Sequence, residues 1–594
     1  MSWYNEAIFY HIYPLGLTGA PKQNDYSEPV SRLNTLIPWI HHIKEIGCTA
    51  LYIGPLFESV GHGYETTDYK KLDSRLGTNE DLTNFVKICH EKGIRVIFDG
   101  VFNHTGRDFF AFKDIQQNRE HSRYLNWYCN VNFGGNNEYN DGFSYENWGG
   151  YNLLVKLNQK NPEVQNYICD VIRFWVSEFN VDGIRLDAAD VLDFDFMRAL
   201  RRTADEVKED FWLMGEVIHG DYSRWVNGET LHSVTNYALH KALYSGHNDH
   251  NYFEIAHTVK YLLNMGNLDL YNFVDNHDVE RIYTKLTNKA HLAPVHVLLY
   301  TLPGIPSIYY GSEFAIEGRK EKFSDDSLRP ALDLKDYKNA VTENPCTALI
   351  AALGKVRQHT PALSYGSYAE LLLTNRQFGF ARDYNGARVI VTVNNDDNAA
   401  SMNLQAGNTS EYTGMLTGQK VSVQGGHINV TVAGNSGEIW VPTEEAKEWN
   451  TVKTEIVCSL ESTEADSESN DEKEQETSDH PMKDFSPEND NKEEIAATVS
   501  SENKEAEDEP QADSCEEKKE TSDITEEPPK ETITKEQLQE AIKTKTPEEM
   551  SVEELQAAIL AKMAGNGSVT EQMEKTVYDN IWHDSLVNWL KSFR

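Results

Sequence analysis

Eight short apolar runs recur along the first 310 residues, and the stretches between them have the composition of amphipathic helices. Near-continuous apolar strands that alternate with helices are typical of a parallel sheet covered on both faces. Eight such units predict an α/β protein built on a (β/α)8 TIM barrel. The runs are Ala7–Ile12, Ala50–Ile53, Arg95–Val101, Val181–Asp187, Phe211–Glu216, Leu231–Asn236, Leu270–Asp275 and Ile305–Tyr310.

Two regions depart from this alternation. Residues 105–160, between the third and fourth runs, are too long for one helix and are rich in Asn, Gly, Tyr and Trp, which predicts a small inserted domain. After Pro361, short strands alternate with turn signals such as Asn385-Gly386. We therefore expect a barrel over residues 1–104 and 161–360, the insertion after its third strand, and a C-terminal antiparallel β-sandwich over 361–444.

The last 150 residues have a different composition. Residues 451–530 contain 27 acidic and 8 basic side chains, about half of the net charge of −39, and Phe485 is their one aromatic residue. Such a segment buries too little apolar surface to offset chain entropy, so we expect a disordered acidic linker over 445–530. A capping box at Ser551–Glu554 then predicts a small helical segment over 531–594. This segment is either a docking element for a protein partner or an appendage on a solvating linker.

The charge and hydropathy of the chain restrict its partners. A net charge of −39 repels nucleic acid and anionic membranes but is compatible with a neutral substrate. No apolar run has membrane-spanning length, and the first residues lack the pattern of a signal peptide. The seven cysteines are scattered without metal-finger spacing, as expected of reduced thiols. We expect a cytoplasmic protein with no nucleic-acid or membrane partner.

Three acidic residues stand at the ends of predicted strands: Asp187, Glu216 and Asp278. The carboxyl ends of barrel strands converge on one face, so acids that are far apart in sequence can share one site. A single acid at a strand end is more often a helix cap or half of a salt bridge. Here Arg185 precedes Asp187 by two residues on the same strand face, where it can lower the pKa of that carboxyl. His277 directly precedes Asp278.

Four separated motifs occur in the order that is typical of the α-amylase superfamily of glycoside hydrolases. The chain resembles this superfamily from about Trp3 to Pro442. The motifs are Asp99-Gly100-Val101-Phe102-Asn103-His104, Gly183-Ile184-Arg185-Leu186-Asp187, Gly215-Glu216-Val217 and Asp275-Asn276-His277-Asp278.

The resemblance implies a role for each acid. Asp187 would be the nucleophile, Glu216 the general acid and base, and Asp278 the stabiliser of a distorted transition state. Retaining hydrolysis needs two carboxyl groups about 5 to 5.5 Å apart, one ionised and one protonated. We expect the negative charges of Asp187 and Asp278 to raise the pKa of Glu216.

The resemblance also implies a sugar pocket around the acids. Tyr64 would stack on the sugar ring next to the cut bond, and His104 and His277 would bind its hydroxyl groups. With Arg185, these residues are the expected substrate-binding side chains. Taken singly, the tyrosine is more often a packing residue and each histidine a satisfied core residue.

Two departures narrow the resemblance. Val155-Lys156-Leu157-Asn158 is similar to a segment of neopullulanases and cyclomaltodextrinases, which are intracellular maltodextrin enzymes, yet the N-terminal β domain that usually serves their dimers has no counterpart before Ala7. We expect a stand-alone enzyme, and its oligomeric state is left open.

The second departure concerns calcium. Ala188-Ala189-Asp190 replaces a Lys-His pair that serves the calcium site of secreted α-amylases. Asn103 matches a calcium ligand, but calcium needs 6 to 8 oxygen ligands. We expect no required cofactor and no metal, with calcium as the alternative.

Three functional hypotheses remain open at this point. The first is hydrolysis of α-1,4-glucosidic bonds in maltodextrins, with α-1,6-linked or cyclic substrates in addition. The second is a 4-α-glucanotransferase, because a sugar hydroxyl can replace water in attacking the same covalent intermediate. The third is an inactive barrel used as a binding or scaffold subunit, which would have no need of the three acids and Arg185.

Overall fold

The computed structural model describes residues 2–266, 268–322 and 324–446, and it contains one parallel strand in each of the eight predicted runs. The strands pair in chain order, from the sixth back to the first and on to the eighth and seventh. A parallel bridge between Thr235 and Tyr271 joins the sixth strand to the seventh, so the predicted barrel is confirmed and nearly closed. The strands are Phe9–Ile12, Ala50–Ile53, Arg95–Gly100, Gly183–Leu186, Trp212–Gly215, Ser233–Val234, Tyr271–Phe273 and Ile305–Tyr309.

The barrel strands are mostly apolar because both of their faces are covered. Every residue in them is buried except Arg95, which begins the third strand. Aromatic rings fill part of the interior: Phe9 stacks on Trp212 with ring centroids 5.0 Å apart, and Tyr271 meets Phe9 edge-on at 5.5 Å. A packed interior leaves the strand ends as the place where polar groups gather.

Helices follow the strands, and polar caps mark where several of them begin. Thr78 and Asp81 form a reciprocal capping box, and Asn161 and Asp193 each accept a backbone N–H at the start of a later helix. The longer helices are Ile37–Glu45, Asn79–Glu91, Phe110–Asn118, Pro162–Phe179, Phe194–Val207, Tyr237–Asn248, Tyr252–Asn264, Leu292–Thr301 and Pro345–His359. The shorter ones are Pro14–Leu17, Ile282–Lys285, Ala340–Glu343, Pro361–Tyr365 and Thr443–Ala446.

An insertion lies between the third and fourth barrel strands, in the region predicted for it. A small antiparallel sheet ties it to the barrel: His104–Thr105 pairs with Tyr151–Lys156, which pairs in turn with Asn147–Trp148. The insertion has an aromatic core of its own. Its buried aromatic side chains include Phe112, Trp127, Tyr128, Phe143 and Tyr145.

Antiparallel strands form two sheets after Pro361, as predicted. Asn385 and Gly386, with φ of 50° and 85°, make the tight turn between two of the strands. In the smaller sheet, burial alternates along His427–Val432, and its inward side chains pack with Trp440 of the larger sheet. The larger sheet contains Ser367–Leu373, Gln377–Tyr384, Ala387–Asn394, Ser436–Pro442, Glu411–Gly414 and Lys420–Ser422, and the smaller one Ala400–Gln405 and His427–Val432.

Residues 447–594 lie outside the described part of the chain. The linker predicted over 445–530 begins too early, because residues 445 and 446 end the helix Thr443–Ala446. The rest of that acidic linker and the helical segment predicted over 531–594 stay predictions, as do the bounds of the individual domains. Within the described part, no helix is long and apolar enough to cross a membrane, and its five cysteines are free thiols.

Candidate active site

Two of the three predicted acids are neighbours at the carboxyl end of the barrel. Asp187 directly follows the fourth strand and Glu216 directly follows the fifth. The backbone N–H of Glu216 donates to the carbonyl of Leu186 at 2.9 Å, which continues the ladder between these strands. Parallel pairing in this register sets the two carboxyl groups side by side. Asp278 comes from the loop after the seventh strand.

The Arg185 guanidinium contacts three carboxylates. Its Nη1 donates to Asp99 Oδ1 at 2.9 Å and to Asp187 Oδ1 at 2.8 Å, and its Nη2 lies 2.9 Å from Glu216 Oε2. Only 4% of the Arg185 side chain is exposed, so water screens these charge-assisted bonds little. Arg185 therefore fixes Asp187 and Glu216 in relation to each other.

Ala188, which has a left-handed backbone conformation, provides a further hydrogen bond to Glu216. Ala188 has φ 46° and ψ 44°, a conformation that few residues other than glycine adopt. The turn carries the chain sharply away from the fourth strand, and the backbone N–H of Ala188 donates to Glu216 Oε2 at 3.0 Å. A strained backbone residue between two acids is typical of a functional site.

Burial raises the pKa of Asp187 and of Glu216. For Asp187, the expected lowering by Arg185 is present, but desolvation outweighs it, so the pKa is raised overall. For Glu216, the expected rise is confirmed, with burial as its largest cause and the charge of Asp278 as a further one. Two buried carboxyl groups beside one guanidinium tend to share a single proton, because ionising both costs more than ionising one.

Asp278 is held by two cations and a histidine. Arg329 Nη2 donates to Asp278 Oδ1 at 2.8 Å, and Lys320 donates to the backbone carbonyl of Asp278 at 2.8 Å. His277 Nε2 lies 3.1 Å from Asp278 Oδ2. Burial, with the charge of Arg329 added, lowers the pKa of His277 well below its usual range, so this ring is neutral at neutral pH.

Tyr64 lies in the loop of a hairpin, Phe57–Ser59 with Thr66–Leu72, that the sequence analysis does not predict. Its ring lies nearly parallel to that of His277, with centroids 5.7 Å apart, and its hydroxyl contacts His277 Nε2 and donates to Asp99 Oδ2. These contacts hold the ring at the wall of the site, where its predicted stacking on a sugar stays a prediction.

His104 lies behind Tyr64. Its Nε2 is 3.1 Å from the Tyr64 carbonyl oxygen, and its Nδ1 is 3.3 Å from Asn103 Nδ2. With 1% of the residue exposed and both ring nitrogens in contact with protein groups, His104 supports the Tyr64 loop. Its predicted contact with a sugar hydroxyl stays a prediction.

The structure adds residues that the sequence analysis left without a role. Asp99 accepts from Arg185, Tyr64 and Tyr52, the last at 2.8 Å. Asp99 begins the first of the four motifs, Asp99–His104, so a sequence signal for it exists. Arg329 lies in a loop without periodicity or motif, and no sequence signal pointed to it.

Comparisons with known proteins agree with this geometry. The family model for the α-amylase catalytic domain matches residues 24–361. The chain belongs to the α-amylase family. The predicted resemblance is thereby confirmed, and the protein is a glycosidase.

Similar members of the family include maltodextrin-related enzymes. A cyclomaltodextrinase of Thermoanaerobacter pseudethanolicus is 32% identical over 418 residues, which are 66% of this chain and 71% of that protein. Neopullulanase 2 of Thermoactinomyces vulgaris is 29% identical over 469 residues, 74% of this chain and 78% of the relative. Among solved structures, the native debranching enzyme of Nostoc punctiforme is 26% identical with a TM-score of 0.65, covering 74% of this chain and 98% of that one.

The raised pKa values give this glycosidase a predicted dependence of stability on pH. When folding raises the pKa of a carboxyl group, that group contributes its full stabilisation at pH values below its pKa in the unfolded chain, near 4. The contribution is lost as the pH rises through the pKa of the group in the folded protein. Glu216→Gln removes the buried charge. We expect its Tm to match that of the wild type near pH 4 and to exceed it by at least about 2 °C at pH 7.

Calorimetry between pH 4 and pH 7 measures this difference. Glu229→Gln is the matched control, because Glu229 is 75% exposed and pairs with Arg198 at the surface. A Glu216→Gln variant that is less stable than the wild type at pH 7 would mean that the buried carboxylate stabilises the fold.

Proposed function

We propose that this glycosidase hydrolyses α-1,4-glucosidic bonds of maltodextrins, cyclic ones included, with retention of the anomeric configuration. The observation that carries the proposal is the contact of Asp187 and Glu216 with one guanidinium at 2.8 and 2.9 Å. It supports the pair of carboxyl groups, one ionised and one protonated, that double displacement requires. The names of the similar cyclomaltodextrinase and neopullulanase support the class of substrate.

In the first step, Asp187 attacks the anomeric carbon while Glu216 gives its proton to the glycosidic oxygen. The bond from that carbon to the leaving sugar breaks, and an ester between Asp187 and the sugar forms. Arg185 contacts both carboxyl groups, and burial raises the pKa of both. We assign the shared proton to Glu216, because the nucleophile has to be ionised and the general acid protonated when the bond is cut.

In the second step, Glu216 takes a proton from water, and the oxygen of that water displaces Asp187 from the anomeric carbon. A hydroxyl group of a second sugar can take the place of water, which gives transglycosylation with the same residues. Asp278, fixed by Arg329 and His277, stabilises the positive charge that develops on the sugar ring in both steps. Tyr64 bounds the ring that carries this charge.

Substitutions of the two acids should differ in a way that separates their roles. Asp187→Asn should lower kcat/KM on maltoheptaose by about 10⁴-fold or more, because no nucleophile remains. Glu216→Gln should show a comparable loss of kcat/KM on maltoheptaose but keep much of its kcat/KM on α-maltosyl fluoride, because kcat/KM reports the steps up to departure of the leaving group and fluoride leaves without a proton. Asp190→Asn, an exposed neighbour, is the control.

The products from maltoheptaose are followed by chromatography. Full activity in Asp187→Asn would overturn the assigned nucleophile, and equal losses of Glu216→Gln on both substrates would overturn the assigned acid. Early, abundant products longer than maltoheptaose would assign the chain to transfer rather than hydrolysis.

We also propose that the activity needs no calcium, because the residues at the expected ligand do not fit that ion. Asn103 Oδ1 accepts a hydrogen bond from Gln159 Nε2 at 3.0 Å, so the oxygen faces an N–H group. Gln159 Oε1 in turn accepts from the backbone N–H of Asp193 at 2.6 Å. Asn103 is fully buried and Gln159 is 6% exposed. The Gln159 side chain thus ties the end of the third strand to the loop after the fourth.

Removal of metal should therefore leave the protein unaffected, whereas loss of Gln159 should not. We expect EDTA and added calcium to leave the wild-type Tm unchanged within error. Gln159→Ala should lower the free energy of unfolding by about 1 to 3 kcal/mol, because Asn103 and the Asp193 amide lose buried partners. Calorimetry measures both effects, with the exposed Gln419→Ala as the control. A Tm that falls on chelation and returns with calcium would contradict this proposal.

A further inference from the structure

Two tyrosine rings of the insertion stand in solvent. Tyr151 is 67% exposed and Tyr139 is 45% exposed, whereas the aromatic core of the same insertion is buried. Large apolar side chains that are exposed close to one another mark interaction sites more often than isolated ones do. The surroundings of these two rings show that they belong to one surface.

One chain of contacts links the two tyrosines. The Arg107 guanidinium lies over the Tyr139 ring, 3.8 Å from its centroid, and donates to the Tyr145 hydroxyl at 2.6 Å. That hydroxyl donates to the carbonyl of Asn152 at 2.7 Å, next to Tyr151 in the chain. The two rings are therefore carried by one bonded framework and keep their relative positions.

Each ring is exposed but rests on another part of the protein. Arg107 covers one face of Tyr139, and a bidentate ion pair with Asp141, at 2.7 and 2.8 Å, holds Arg107 in place. The Tyr151 ring lies against the backbone of Gly149, where a Cβ would stand 3.3 Å from its Cδ2 atom. Aromatic rings fixed in this way lose little conformational entropy when a ligand stacks on them.

Polar groups that suit hydroxyl groups are the chain neighbours of the rings. Asn152 Nδ2 donates to Glu138 Oε2 at 2.9 Å, and these two residues are next to Tyr151 and Tyr139 in the chain. Asn147 Nδ2 donates to Asn152 Oδ1 at 2.7 Å. Exposed aromatic rings with amide and carboxylate groups beside them match a sugar, which presents C–H groups on its faces and hydroxyl groups at its edge.

We propose that Tyr139, Tyr151 and the polar groups beside them form a secondary binding surface for an α-glucan chain, outside the active site. This inference rests on the proposed function for the identity of the sugar. The strand Tyr151–Lys156 connects the two places, since Lys156 pairs with His104 at the active site. Five residues of strand separate Tyr151 from Lys156 by about 17 Å, a distance that a few glucose units span. The surface holds a long substrate whose other part lies at Asp187 and Glu216.

The double variant Tyr139→Ala/Tyr151→Ala tests the surface. We expect its ratio of kcat/KM on amylose to kcat/KM on maltotriose to fall about 5-fold to 10-fold, because maltotriose is too short to reach both places. Native electrophoresis through gels that contain amylose should show weaker retardation of the variant. Tyr151→Trp, which keeps a stacking ring, should keep the retardation. Tyr261→Ala is the matched control, since Tyr261 is 47% exposed on the helix Tyr252–Asn264.

The outcomes separate this inference from the proposed function. A double variant with the wild-type ratio and wild-type retardation would overturn the surface. A fall in molar mass by analytical ultracentrifugation, with retardation unchanged, would assign the tyrosines to contact with a second copy and would also overturn it. If the wild type cuts neither amylose nor maltotriose, the proposed function fails, while retardation in the gel still decides the surface.

Discussion

The Arg185 guanidinium is a buried cation at the mouth of the barrel, and the rest of the site is arranged around its charge. It contacts Asp99 from the third strand, Asp187 after the fourth and Glu216 after the fifth, at 2.8 to 2.9 Å. A buried guanidinium without such partners would be strongly unfavourable, and the same holds for each carboxylate without the cation. Parallel pairing of three consecutive strands delivers all four groups to one place. The barrel and the site are therefore specified by the same register.

Burial and the Arg185 charge have opposite effects on the two acids. Burial raises the pKa of Asp187 and of Glu216, and the positive charge of Arg185 lowers both pKa values by less than burial raises them. One proton shared by two carboxyl groups would supply both the nucleophile and the acid of the proposed double displacement. The turn at Ala188 also serves Glu216. The Ala188 backbone is strained in the left-handed region, and in this conformation its N–H group donates to the Glu216 carboxyl.

The parts of this molecule that could be predicted from sequence are those in which local pattern and burial agree. Each barrel strand is buried and therefore mostly apolar, so all eight runs were visible. Asp187 and Glu216 directly follow such runs, which made their meeting predictable. The hairpin around Tyr64 is short and polar, and Arg329 reaches Asp278 from a loop without periodicity. Neither has a local signal, because tertiary contacts alone place them.

The direction in which the pKa of Asp187 shifts could not be predicted either, because it depends on the depth of burial more than on the nearest charge. The central claim, that Asp187 and Glu216 act by double displacement, is tested most directly by the anomeric form of the first product. Proton NMR of a maltodextrin digest, recorded before mutarotation proceeds, distinguishes the two forms. The account predicts that the α-anomer of the new reducing end appears first. Initial formation of the β-anomer would contradict it.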